Sequence, residues 1–242
     1  MDAPQADTPE TARDPIRSRG LRFPDDPTIL TPRICRLLDK NAYEELESDA
    51  VLKVARAGDT VLELGAGIGY MSTLIASKRP VTAVHSFEAN PHLIGYIHKL
   101  HAENGVSNVI VHNAILAPKA SEPVDFYVRK NLLASSLDRT ATEESDIASI
   151  EQVAVRDINA TFAGIRPSML VCDIEGAEAD ILPALDYDGL RAAVIELHPQ
   201  WIGPDGVRAV FEAMHAAGLS YFPRWSHGKV VVFRRSWPDV TP

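Results

Sequence analysis

Cysteine is scarce: the 242-residue chain has two, Cys35 and Cys172, far apart and in no CxxC pair. That excludes a disulfide framework and a cysteine-built zinc cluster, and makes a reducing compartment the expectation. Basic residues are outnumbered, 24 Lys and Arg against 33 Asp and Glu, for a net charge of −9. Such a chain lacks the positive footprint that a phosphate backbone requires, so no nucleic-acid partner is expected. No apolar run approaches the ~20 residues of a membrane-spanning helix. The first seven residues carry neither a basic region nor an apolar stretch. No membrane association and no secretory signal are therefore expected, and the expected location is cytoplasmic. The remaining composition, 45% hydrophobic and 24% charged, is that of a globular protein long enough for one substantial core.

Residues 1–30 hold Pro4, Pro9, Pro15, Pro24 and Pro27 among many charges and read as a mobile or surface-hugging N-terminal arm. Residues 31–57 read as a helical lid, opened by Thr31-Pro32 and ended by Gly58-Asp59, with Leu46, Ala50, Val51, Val54 and Ala55 on one side of its second helix. From 58 to 242 strand and helix alternate. Strands are expected at 60–64, 81–87, 108–112, 124–128, 152–155, 169–173 and 192–197, and helices at 70–78, 91–104, 157–163, 177–185 and 207–217. Segments 219–222 and 230–234 read as a closing hairpin. The fold class is α/β: a doubly wound, mostly parallel sheet with an antiparallel C-terminal hairpin and helices on both faces.

The most informative segment is Val61-Leu62-Glu63-Leu64-Gly65-Ala66-Gly67-Ile68-Gly69-Tyr70, a buried strand running through three alternate glycines into a helix. Glycines there let the backbone turn sharply and approach a ligand. A dinucleotide loop reads GxGxxG and seats a pyrophosphate on the helix N-terminus. Its third glycine would fall at position 70, which is Tyr70. The spacing Gly65-x-Gly67-x-Gly69, preceded by Glu63, instead resembles the S-adenosylmethionine loop of Rossmann-like methyltransferases. That resemblance implies that Glu63 serves the ligand's amino-acid end. The next strand ends Ser86-Phe87-Glu88-Ala89-Asn90-Pro91, where an acid can accept both ribose hydroxyls. Glu88 could otherwise cap the helix that Asn90 opens. Asn113, at the third strand end, is the candidate for the adenine edge, or a turn residue satisfying its own backbone.

The segment Cys172-Asp173-Ile174-Glu175-Gly176-Ala177-Glu178 follows a buried strand as Asp-x-Glu-Gly-x-Glu. With the glycine loop, the Ser-Phe-Glu-x-Asn-Pro strand end and the later Glu196-Leu197-His198, it resembles the FkbM family of methyltransferases over roughly residues 40–235. The resemblance implies S-adenosylmethionine as cofactor and a hydroxyl of a sugar, natural product or other small molecule as acceptor. In that strand order, 63–69, 173–175 and 196–198 line one crevice. Asp173, Glu175 and His198 are the candidate catalytic groups, with Asp173 also near the cofactor. Glu178 reads as a first-turn acid complementing its helix.

Ser136, in the long irregular segment 129–151, is a further cofactor candidate. Tyr43 and Glu44 fall where the resemblance puts the family's N-terminal lid and either close over the methionine moiety or are ordinary helix surface, and Trp201 either shapes the acceptor pocket or covers the core edge. His98 and His101 read as a solvated helix face. No metal ligand is singled out, although clustered carboxylates holding magnesium are a secondary variant. The oligomeric state stays open, a homodimer included. Two other readings survive: a nonenzymatic nucleoside-binding protein, and an NAD-dependent oxidoreductase, which Tyr70 disfavours.

Overall fold

The computed structural model describes residues 16–140 and 143–237. It opens with a hairpin of β1 (Ile16–Ser18) and β2 (Leu21–Phe23). Arg19 and Gly20 make the turn, both at positive φ (47° and 79°). Two helices follow. Thr31 caps α1 (Pro32–Asp39) by accepting from the Ile34 amide, and α2 (Glu45–Val54) starts after Glu44.

The central wind runs β3 (Thr60–Leu64), α3 (Tyr70–Lys78), β4 (Ala83–Glu88), α4 (Pro91–Glu103) and β5 (Val109–Asn113). An outlying unit follows, made of β6 (Ile115–Ala117), β7 (Ser121–Arg129) and β8 (Ile147–Asp157). The chain then returns through α5 (Ile158–Ile165), β9 (Met169–Cys172), α6 (Glu178–Ile181), β10 (Ala192–Glu196) and α7 (Pro199–Ala216). It closes with β11 (Ser220–Tyr221) and β12 (Val230–Arg234).

The seven-stranded sheet has the order β11-β12-β10-β9-β3-β4-β5. Strands β10, β9, β3, β4 and β5 pair in parallel, whereas β12 pairs antiparallel with both β10 and β11. This is the mostly parallel Rossmann-like sheet with an antiparallel C-terminal hairpin that the strand–helix alternation implied. Burial on both faces explains the near-continuous apolar strands. Val61, Met169, Val171 and Val194 face one core cluster, which α2, α3 and α4 complete with Val51, Leu74 and Ile97. Their neighbours Leu62, Leu170, Cys172 and Ile195 face a second cluster, which α5 and α7 complete with Phe162, Val210 and Met214. The chain winds outward from β3 to β5 and returns to β9 beside β3, so the switch point lies between β3 and β9, where such sheets bind ligands.

The structure corrects several expectations. The arm reading fails from Ile16 onward, and residues 1–15 lie outside the described residues. Leu21 and Phe23 are buried, Phe23 stacks on Tyr70 at 5.9 Å, and the Tyr96 hydroxyl donates to the Pro24 carbonyl at 3.1 Å. The alternation Leu21-Arg22-Phe23 places two apolar side chains on one face, and their burial outweighs the proline-rich flanks.

The segment 129–151 is less irregular than expected, because β7 reaches Arg129 and β8 begins at Ile147. These strands form a separate sheet with β6, in the order β6-β8-β7, rather than joining the central one. Their burial alternates, as it does for a sheet with one wet face. The last long helix starts at Pro199, earlier than position 207, and breaks at Gly203-Pro204, where Gly203 takes φ 64° and ψ −178°. No helix among the described residues is long and apolar enough to cross a membrane.

Candidate active site

The β3–α3 loop is shaped by close packing at the switch point. The Gly65 and Ala66 amides both donate to the Phe87 carbonyl at 3.0 Å, and the Asp173 amide donates to the Leu64 carbonyl at 2.9 Å. Gly65 takes φ +84°, and a Cβ there would lie 1.7 Å from the Asp173 carbonyl oxygen. Gly67 also has positive φ, but nothing lies within 4 Å of its missing Cβ. One glycine is required by packing, while the other leaves open space at a cavity of about 700 Å³.

The strand ends and the lid line that cavity together. Gly65 and Gly67 contribute from the loop, Glu88 and Asn90 from β4, Asp173 and Glu175 from β9, and Tyr43 and Glu44 from the turn before α2. Glu44, Glu88, Asp138, Asp173, Glu175 and Asp180 all border it, and no Lys, Arg or His among the described residues does. Leu116, Phe126, Leu132, Leu133 and Leu137 make an apolar wall. An acidic cavity of this kind suits a sulfonium or ammonium cation and disfavours a pyrophosphate. Two of its acids sit on unusual backbone, Glu44 at φ 44° and Glu175 at φ 50°. Such strain is commonly stored at functional sites.

Glu88 is buried at the cavity wall. One of its carboxylate oxygens accepts from the Gly67 amide at 2.8 Å and the other from the Asn90 amide at 2.7 Å. Burial pushes its carboxyl up to about 7, against the pull of the Asn90 and Gly67 amides. Tyr43 and Glu44 are both driven well above their ordinary values, first by burial, then by neighbouring acids.

Beyond Asp173 the acids gather around one imidazole. His198 is 3% exposed. Its Nδ1 lies 2.6 Å from Glu178 Oε1, and the same oxygen accepts from the Gly176 amide at 3.1 Å. Its Nε2 lies 3.4 Å from Glu175, 3.7 Å from Asp173 and 3.9 Å from Glu196. Burial, Glu196 and Glu175 raise Asp173 to about 7, and His198 works against them. Burial would lower His198, but Glu178, Glu175 and Asp173 together hold it above its usual value.

Not every expected residue reaches the cavity. Glu63 is buried behind the loop, accepts from the Ser86 hydroxyl and does not line the cavity. Asn113 stands outside the cavity lining. Its side chain donates to the Glu88 and Ala89 carbonyls at 2.9 and 3.0 Å and braces the β4 end, while Ala114 and Ile115 face the cavity. Gly69 packs against Ile97 rather than lining the cavity. Ser136 lines it and donates to the Asp138 carbonyl at 3.0 Å. Trp201 is 63% exposed, its Cβ against Gly176.

His198 stands just behind the cavity wall, and Glu178 is more than a first-turn acid: it is fully buried as the imidazole's partner. No local spacing gives that contact, which spans 20 residues. His101 is buried against the Ser72 hydroxyl at 3.2 Å, contrary to the solvated reading, whereas His98 is exposed. Its position four residues after buried Ile97 was the available signal.

Glu63 carries a stability prediction. Burial pushes its carboxyl up to about 7, against the Ser86 hydroxyl, so the folded chain keeps a proton that the unfolded chain releases near 4.5. Stability tied to this group is full below about 4.5 and is lost as pH rises through about 7. Glu63→Gln is expected to gain about 1–2 kcal/mol at pH 8 and nothing at pH 4.5, read by urea unfolding at both values. An equal change at both would assign its effect to packing.

The description "Methyltransferase FkbM domain" matches residues 63–225. No curated protein matches the chain significantly. Among solved structures, Trm5b from Pyrococcus abyssi is 15% identical over 90% of this chain, which spans 54% of that one, with a TM-score of 0.47. A precorrin 8w decarboxylase from Methanobacterium thermoautotrophicum is 13% identical over 87% of this chain and 94% of its own, with a TM-score of 0.46. TYW2 from M. jannaschii, solved in complex with AdoMet, is 15% identical over 78% and 73%, with a TM-score of 0.41. These distant likenesses transfer neither acceptor nor mechanism. The match over 63–225 spans most of the chain, and with it the glycine loop, the β4 acid and the Asp173–Glu178 segment find one explanation: the chain belongs to the FkbM methyltransferases, enzymes that use S-adenosylmethionine.

Proposed function

We propose that this methyltransferase acts on oxygen, methylating a hydroxyl of a neutral or cationic small molecule. The observation that carries the reading is the single cavity in which the Gly65–Gly67 loop and Glu88 face Asp173 and Glu175 across an apolar wall. When bound, S-adenosylmethionine supplies a methyl group made electrophilic by a sulfonium. The chain's residues fit it: the open space at Gly67 admits a ligand against the backbone, and Glu88, held at the cavity wall by the Gly67 and Asn90 amides, would accept the ribose hydroxyls with its remaining lone pairs. The surrounding carboxylates balance the cation.

The apolar leucines and Phe126 hold the acceptor and exclude water, so positioning supplies much of the acceleration. As the oxygen gains the methyl group, its proton passes to Glu175, whose side chain is 69% exposed beside Asp173. The acidic wall and the net charge of −9 weigh against an RNA acceptor.

The test is a screen of neutral hydroxylated sugars and natural products, hydroxyl-free amines and RNA, reading S-adenosylhomocysteine release and the site of the added methyl group. Methylation on oxygen of a small molecule is expected; turnover confined to amines or RNA overturns the reading. Once an acceptor is found, Glu175→Gln is expected to lower kcat by about 10²-fold, with donor affinity unchanged. An unchanged kcat removes Glu175 as the proton's destination.

A further inference from the structure

We propose that Asp173, Glu196 and His198 form a binding site for a divalent first-row metal ion of the Mn2+ type. The parallel register pairs Ile195 with Cys172, so Glu196 and Asp173 leave adjacent strand ends side by side. His198 follows two residues later as the N-cap of α7. One ligand atom from each of the three lies within 4.8 Å of the others.

On its Nε2 side the cluster is only loosely paired. The His198 side chain is 4% exposed, and its Nε2, unlike Nδ1, has no carboxylate oxygen nearer than 3.4 Å. It points among carboxylate oxygens at 3.4, 3.7 and 3.9 Å, and Asp173 Oδ1 is buried with no hydrogen-bond partner. Neighbouring ligands at about 2.1 Å from a metal lie about 3–3.5 Å apart, so the 3.7 and 3.9 Å separations from Nε2 to Asp173 and Glu196 are long for hydrogen bonds and need to shorten only slightly around one ion.

Glu178 supplies the matching outer contact. Its carboxylate fixes Nδ1 and leaves Nε2 for the ion, the arrangement that orients metal-bound imidazoles elsewhere. One imidazole with two carboxylates favours Mn2+ or Zn2+ over Mg2+ and Ca2+, which prefer oxygen throughout. Asp173 also borders the cavity, so the ion would stand where it can polarise an acceptor hydroxyl; that role, unlike the binding itself, rests on the O-methylation reading.

The binding test needs neither donor nor acceptor. The full chain, stripped with chelator, is titrated with MnCl2 by calorimetry and by the loss of the free-ion EPR signal, with ZnCl2 and MgCl2 in parallel. One Mn2+ per chain is expected, with Mg2+ at least tenfold weaker. Glu196→Gln and His198→Asn, each checked for native circular dichroism, are expected to weaken Mn2+ by at least tenfold, and Glu178→Gln by 10- to 100-fold. No stoichiometric binding to the wild type, or binding that survives in every folded variant, overturns the site. Donor titration of the same stripped sample reads the methyltransferase assignment separately.

Discussion

Gly65→Ala is expected to abolish donor binding and to lower the melting temperature by about 10 °C, the value for a loss of about 3–4 kcal/mol in a chain of this size. Two penalties combine. A side chain at φ +84° costs about 1 kcal/mol. The larger penalty is steric, since the new Cβ would sit 1.7 Å from the Asp173 carbonyl oxygen and 2.9 Å from its carbon. Both are backbone atoms of a residue tied to the end of β3 by its amide's bond to the Leu64 carbonyl, so no rotamer change relieves the clash. The two strand ends must separate at the point where the cavity is built.

Gly67→Ala is the control. It shares the positive φ, but its Cβ meets open space, so a loss of about 1 kcal/mol is expected. Thermal unfolding and donor calorimetry on both variants check this. Equal losses in the two would mean that loop conformation, rather than the approach to Asp173, sets the requirement.

Glu88→Gln is expected to weaken S-adenosylmethionine about 10²-fold at pH 8, as for the loss of one or two hydrogen bonds to a charged acceptor at 1.5–3 kcal/mol each. The wild-type affinity should itself depend on pH. The buried carboxyl titrates near 7 in the free protein, and the ionised form is the better acceptor for ribose hydroxyls. Affinity therefore falls as pH drops from 8 to 6, and binding below pH 7 releases a proton to buffer. In Glu88→Gln both the slope and this proton release should vanish. Calorimetry in buffers of different ionisation enthalpy reads both, and a pH-independent wild type would show that Glu88 does not meet the donor.

What the sequence made legible was local. The β3 strand, its glycine loop and the acid ending β4 lie in two short segments whose spacing is set by the chemistry of the turn. The parallel sheet followed from apolar strands alternating with helices, because two buried faces leave that trace. The hairpin at 16–23 was hidden because its two apolar residues are buried in a core cluster built from distant parts of the chain, Phe23 against Tyr70 among them. The partners of Asn113, Glu63 and Glu178 were hidden for a related reason. Each side chain is committed to a partner on another element: the β4 carbonyls, Ser86 and His198. Strand-end position fixes where a residue stands, but only packing decides which way it turns.

Among the described residues the cavity has no basic side chain, which favours a sulfonium donor over a dinucleotide, and the chemistry argued for Glu88, Asp173 and Glu175 depends on that preference. Calorimetric titration of the full chain with S-adenosylmethionine, S-adenosylhomocysteine and NADH tests it most directly. One site per chain is predicted for the first two, at micromolar affinity, with no heat from NADH. Binding of NADH in preference, or no heat from either S-adenosyl ligand in a folded sample, would contradict the account.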